Sequence, residues 1–331
     1  ANLLDQAIDQ TNVPFRRFAR SQFEAFQQSA LARYGIAGLQ VESIAPREHG
    51  FVLAHISVGG HSAADWPFRE VDGRWVISEP TVAQLGAPLT LASDHFTFDT
   101  YPWANDVNDA LMRMMEQARS NVLARLGHAP EQKAQVFINP IYGLHPFESS
   151  FALAYYRPIT DTDTITIYAP HSFAFGYYDA NAGWEGELEN VLTHEYTHLV
   201  QHRSFPDASN VSSWMQEGLA EFVAGNTHPN DLRAAVRAGA IIPIIDTASP
   251  AFKQDLEHLS ALRQDRALAY GFAYSLVAFI VEKHGGLDGF WALARAYQNS
   301  QSLEKAVRGA FGTSYAQFDQ EWRAWLEQKY G

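Results

Sequence analysis

His194-Glu195-Tyr196-Thr197-His198 places two imidazoles four residues apart, and a carboxylate, Glu217, follows after eighteen intervening residues. On a helix, residues four apart lie one above the other on one face. His194 and His198 can therefore offer their ring nitrogens to one metal ion from a single rigid element. With Glu217 as third donor, two imidazoles and one carboxylate suit zinc and leave a fourth position open. An ion held in this way lowers the pKa of water to about 7, which is the starting point for hydrolysis near neutral pH.

These side chains need two helices. Trp184 and the run Glu185-Gly186-Glu187-Leu188-Glu189-Asn190-Val191-Leu192 lead into the motif without a proline, and Leu188, Val191, Leu192, Leu199 and Val200 keep helical spacing. The expectation is a helix from about 185 to 203. Ser204 to Asn210, with Pro206, is rich in turn formers and lets the chain double back. Ser212 or Ser213 then caps a second helix that Gly225 and Asn226 stop. Glu217 and Glu221 lie one turn apart on it, so one can coordinate the metal while the other hydrogen-bonds the far nitrogen of a metal-bound histidine and fixes its tautomer. Other ligand sets fare worse. A metzincin needs glycine at 201 and histidine at 204, where this chain has Gln201 and Ser204. His202, one turn beyond His198, would stretch three ligands over about 12 Å of one helix, too far to share a zinc. It reads instead as a polar residue near a helix end.

The string Trp214-Met215-Gln216-Glu217-Gly218-Leu219-Ala220-Glu221 matches the W-x-x-E-G-x-A-E pattern typical of the peptidase MA-like group. Together with the HExxH-x18-E spacing, the chain resembles the gluzincin metallopeptidases, the clan that includes thermolysin-like and aminopeptidase enzymes. The resemblance spans roughly residues 95 to 331. It implies that His194, His198 and Glu217 bind one Zn2+, that Glu195 is the catalytic base, and that Glu221 supports the ligands. Glu195 would take a proton from water and deliver it to the leaving amine. The oxyanion needs a further partner, for which the clan typically uses a tyrosine or histidine from its helical half. The segment Ala269 to Gly285 resembles the clan's tyrosine-bearing helix and places that tyrosine at Tyr270, with Tyr274 the alternative one turn later. The plain reading of both is an aromatic packed in the core. His284 reads as a helix terminator.

Substrate binding in the clan resembles strand addition, an extended peptide pairing with a sheet edge. Asp163-Thr164-Ile165-Thr166-Ile167-Tyr168-Ala169-Pro170 alternates like a strand and is stopped by a proline that suits an edge. Thr164, Thr166 and Tyr168 are the expected substrate-binding residues. The aromatic run from His171 to Tyr178 either lines subsites or forms a buried loop. Aminopeptidases of the clan carry a Gly-x-Met-Glu-Asn string upstream of the motif, which this chain lacks. Its nearest acidic cluster, Glu185, Glu187 and Glu189, belongs to the first turns of the zinc helix, where negative charge is favoured anyway. An exopeptidase is therefore the weaker reading.

Composition bounds the remaining classes. The 331 residues, 47% of them apolar, can hold two or three compact units. A formal net charge of -13 repels phosphate backbones and anionic membranes, so nucleic acid is not an expected partner. No apolar run is long enough to span a membrane. The absence of cysteine excludes disulfides and thiolate ligands. The chain starts with Ala rather than Met, as a processed or trimmed chain would, and an extracytoplasmic or secreted peptidase is the expectation.

The fold class expected is α+β, in three parts. Residues 1–92 form an N-terminal helix plus a curved antiparallel sheet, nuclear transport factor two-like or cystatin-like. Helical periodicity runs from Val13 through Tyr34, and strands follow at Leu39 to Ile44, Phe51 to Val58, Trp66 to Glu70 and Arg74 to Ser78, with Asp72-Gly73 a two-residue hairpin signal. His49, His55 and His61 read as scattered turn or surface residues. A thermolysin-like gluzincin catalytic domain follows, its α/β lobe over 95–203 and its all-helical lobe over 204–331. The α/β lobe has a helix from about Asn105 to Leu126 and strands at Lys133 to Asn139 and around Phe151 to Tyr156. Ser302 to Ala310 and Ser314 to Tyr330 are capped amphipathic helices, the last with Phe318, Trp322 and Trp325 on one stripe. Three functional readings follow: a zinc endopeptidase; a zinc aminopeptidase or other amide hydrolase; and a non-proteolytic binding or regulatory protein on a peptidase scaffold, covered by the N-terminal part.

Overall fold

The computed structural model describes residues 6–26, 38–59, 61–63, 65–142, 144, 153–157, 163–172, 177–179, 183–204, 211–241 and 266–331. Helix α1 (Val13–Phe26) buries Phe15 and Ala19, one turn apart. The rest of the expected N-terminal helix, 27–37, lies outside the described residues. Strands β1 (Leu39–Pro46), β2 (Phe51–Val58), β3 (His61–Ala63), β4 (Trp66–Val71) and β5 (Arg74–Ile77) pair antiparallel around β2. Asp72 and Gly73 turn the β4–β5 hairpin with φ of 50° and 74°, the two positive values that a type I′ turn requires. A strand from far along the chain, β11 (Tyr177–Asp179), pairs antiparallel with β3 and completes this sheet.

A second, five-stranded sheet is built from β6 (Leu89–Ala92), β7 (Phe96–Thr100), β8 (Ala134–Asn139), β9 (Ala154–Arg157) and β10 (Thr164–Tyr168), in the order β6-β7-β8-β10-β9. Helix α2 (Asn105–Leu126) joins the parallel pair β7 and β8, a crossover that parallel strands need. Phe96, Phe98, Val136, Ile138, Ile165 and Ile167 are fully buried at its centre.

The expected edge strand is corrected by this order. β10 pairs parallel with β8 on one side and antiparallel with β9 on the other. Its backbone groups are committed to both neighbours, and Thr166 and Tyr168 are buried, so Thr164, Thr166 and Tyr168 do not form a surface on which a peptide can add a strand. Among the described residues the outer strand on this side is β9.

Seven helices follow among the described residues: α3 (Gly183–Ser204), α4 (Ser213–Ala224), α5 (Pro229–Arg237), α6 (Arg266–Lys283), α7 (Gly286–Ser300), α8 (Leu303–Phe311) and α9 (Tyr315–Tyr330). Ser302 and Ser314 cap α8 and α9 by accepting from the amides of Lys305 and Gln317. Phe318, Trp322 and Trp325 are buried, and the Trp322 indole donates to Ser275 Oγ of α6 at 3.2 Å. α6 ends just before His284, but Gly285, with φ of 89°, makes the left-handed step. His284 is an aromatic filler, its ring stacked 4.4 Å from Phe311. No helix among the described residues is long and apolar enough to cross a membrane.

The chain forms two compact units, one of residues 1–120 with 131–195 and the other of 121–130 with 196–331. Both sheets fall in the first, so this division does not follow the expected boundary near 92, and the second boundary falls inside α3 rather than after it.

Candidate metal centre

Helix α3 forms because Leu188, Leu192, Tyr196, Leu199 and Val200 all find buried places, which fixes the helix's rotation and with it the direction of the motif. His194 is 8% exposed, and His198 stands one turn further along the same helix. Helix α4 starts after Ser212, whose side chain makes no capping hydrogen bond, and is closed by Gly225 at φ of 81°. Two devices place it. Gln201, one turn beyond Thr197 and buried, donates from Nε2 to the carbonyl of Gln216 at 3.0 Å, joining α3 to α4 next to Glu217. Gly218 lies against α6 so closely that a Cβ there would stand 2.3 Å from the carbonyl oxygen of Ala273. The glycine of the W-x-x-E-G string is thus the contact that lets α4 and α6 meet.

Ligand atoms of His194, His198 and Glu217 lie within 4.8 Å of one another. Among the described residues this is the one group of three or more His, Asp or Glu side chains able to hold a metal ion. His198 Nε2 and Glu217 Oε2 are 3.4 Å apart, with the side chains 14% and 36% exposed. A charge-assisted hydrogen bond would draw them to about 2.8 Å, whereas two ligands on a tetrahedral zinc stand about 3.3 Å apart. The spacing and the mixed nitrogen and oxygen donors therefore both fit zinc.

Glu195, between the two histidines, is the last residue of the unit that contains both sheets. Its Oε2 accepts from the backbone N–H of Tyr156 on β9 at 2.7 Å, a short charge-assisted bond that fixes the carboxylate beside the outer strand. Sequence reasoning missed this partner because a backbone amide carries no residue signal. Glu221 is 5% exposed, and its Oε2 lies 2.7 Å from His228 Nε2. Sequence reasoning also passed over His228. Its one local signal is its place after the stop at Gly225 and before Pro229, at the first position of α5.

Tyr270 is half-buried on α6. Tyr274 stacks on Phe222 at 6.3 Å, and burial raises its phenol above the usual value, only partly opposed by Lys329 and Arg125. Like Tyr270, Tyr274 is half-buried. His202 is half-buried in the last turn of α3. His49 occupies a turn at φ of 59°, His55 bonds Asp65 at 2.8 Å, and the side chain of His61 lies outside the described residues. Glu185 and Glu189 are exposed on the early part of α3.

A model of the peptidase MA superfamily matches residues 162–328, a stretch that runs from β10 through α3 and α4 into α9. No curated protein sequence matches the chain. That match covers just over half of the 331 residues and contains His194, Glu195, His198 and Glu217, and the chain accordingly belongs to the peptidase MA superfamily.

Proposed function

We propose that the protein is a zinc-dependent endopeptidase whose ion is held by His194, His198 and Glu217 and whose general base is Glu195. The observation that carries this reading is the gathering of those three ligand atoms within 4.8 Å, with Glu195 anchored at 2.7 Å to the outer strand. When bound, the ion supplies a Lewis acid that makes water nucleophilic near neutral pH and polarises the scissile carbonyl. Glu195 receives a proton from the attacking water and passes it to the departing amine. Tyr270 donates to the carbonyl oxygen as charge grows on it, and Glu221 orients a ligand histidine. The substrate is an extended peptide that pairs with β9, because that strand ends the sheet among the described residues and touches the base. In this reading the five-stranded sheet, α2 and α3 belong to the α/β lobe of a thermolysin-like gluzincin, the helices after α3 form its helical lobe, and the first sheet with α1 forms a nuclear transport factor two-like or cystatin-like part. The protein works outside the cytoplasm.

The test is to incubate the zinc-loaded protein and its Glu195→Gln variant with a mixed peptide library and read every cleavage by mass spectrometry. Internal cuts made only by the wild type support the endopeptidase. Trimming confined to peptide ends replaces it with an aminopeptidase, and no cleavage with zinc bound replaces it with a binding protein on a peptidase scaffold.

A further inference from the structure

Resting on the reading of His194, His198 and Glu217 as metal ligands, we propose that His228 is a positioning residue for the metal centre, acting through Glu221. Glu221 lies one turn beyond Glu217 on the same helix, and its side chain is 7% exposed. A carboxylate so enclosed needs a donor, and His228 Nε2 meets it at 2.7 Å. Because the carboxylate only accepts, Nε2 carries the proton in this contact.

The backbone around His228 is built for that contact. His228 is the N-cap of α5, yet its side chain makes no capping hydrogen bond; the imidazole turns to Glu221 instead. Its backbone is left-handed, at φ of 44° and ψ of 44°, a conformation rare for a residue other than glycine and one that persists where the surroundings hold it. Pro229 at the first helical position sets the entry into α5. On the other side, Gly271 sits inside helix α6, where a Cβ would come within 3.0 Å of the His228 Cβ. A helix-interior glycine and a strained backbone thus coincide at one imidazole. A histidine serving only as a helix cap or a surface polar group would require neither.

Held in this way, the Glu221 carboxylate is fixed one turn from Glu217, where it can orient the ligand shell. Partners of this kind typically change metal affinity by about 10- to 100-fold.

The experiment compares zinc affinity by chelator competition, and the visible absorption of the cobalt-substituted protein, across wild type, His228→Gly, His228→Gln, Glu221→Gln and the His228→Gly/Glu221→Gln double variant. His228→Gly relieves the backbone strain while removing the donor, so it is expected to fold at least as well, to bind zinc about tenfold more weakly and to shift the cobalt bands. His228→Gln restores an N–H near the Nε2 position and is expected to recover most of the affinity. The double variant should bind no more weakly than Glu221→Gln alone, since the two residues act as one unit. Wild-type zinc affinity and cobalt bands in His228→Gly, or effects of His228→Gly and Glu221→Gln that multiply, would overturn the role of His228 alone. Failure of the wild type to bind zinc would overturn the metal centre and this inference together.

Discussion

Replacing Gly218 with alanine puts one methyl group where helices α4 and α6 touch. That Cβ would stand 2.3 Å from the carbonyl oxygen of Ala273, 2.7 Å from its carbonyl carbon and 2.9 Å from Val277 Cγ2. The nearest two atoms are backbone and cannot rotate away, so reaching ordinary contact requires the helices to part by about 1 Å. Overpacking of this kind costs about 1–3 kcal/mol, and the upper end applies where backbone meets backbone. The gain in helix propensity from Gly to Ala offsets roughly 1 kcal/mol of that. A net loss of about 2 kcal/mol, or a fall in Tm of roughly 4–8 °C, is expected. The same shift reaches the adjacent Glu217, whereas ligand distances must hold within about 0.2 Å. Zinc affinity should therefore drop about tenfold or more. Gly225→Ala is the control, because at φ of 81° with no atom within 4 Å of the new Cβ it meets only backbone strain. It should destabilise by about 1 kcal/mol and leave zinc affinity unchanged. Thermal unfolding of the metal-free proteins and chelator-competition titration measure the two effects separately. A Gly218→Ala protein with wild-type Tm and wild-type zinc affinity would refute the argument that this glycine sets the approach of the helices.

Glu195→Gln should keep the fold and the zinc while losing about a hundredfold or more in kcat; an unchanged rate would remove Glu195 from the mechanism. Zinc at about 100 times its Kd should raise stability by about 2.7 kcal/mol in the wild type and by far less in Glu217→Ala, as followed by denaturant titration. His171 is buried, and burial holds its imidazole at about 4, with Asp106 opposing the shift and Arg47 adding to it. The unfolded chain therefore binds a proton that the folded chain refuses, and stability should fall as pH drops from about 6.5 toward 4, by up to about 3 kcal/mol. His171→Phe keeps a ring against Trp103, whose centroid lies 6.3 Å from that of His171. It should flatten that slope in urea titrations across the same range, and a slope equal to that of the wild type would assign it to other groups.

Much of the local structure was legible. Helix α2 and strand β2 run where periodicity placed them, the Asp72-Gly73 turn adopts the two positive φ values expected of it, and α4, α8 and α9 each begin after the predicted serine. The grouping of His194, His198 and Glu217 was legible for the same reason. Two histidines four residues apart share one helix face by helix geometry alone, and a glutamate near the start of the next helix comes within reach once the chain doubles back. The edge strand was not legible. Pro170 and the alternation of Thr164 to Tyr168 read as a boundary strand, but β10 is enclosed by β8 and β9, and Thr166 is buried among its apolar neighbours.

Spacing within the chain by itself pointed to His194, His198 and Glu217 as one cluster with Glu195 between the histidines, and to the helices, caps and turns that depend on contacts between near neighbours. The tertiary structure alone decided what surrounds that cluster: the amide of Tyr156, 39 residues before the Glu195 carboxylate it meets; the contact of His228 with Glu221; and the meeting of Gly218 with Ala273. Strand order and helix approach are set by burial and backbone pairing between segments distant in the chain. A local pattern records which face a residue takes within its own element and carries nothing about which element comes to lie against it.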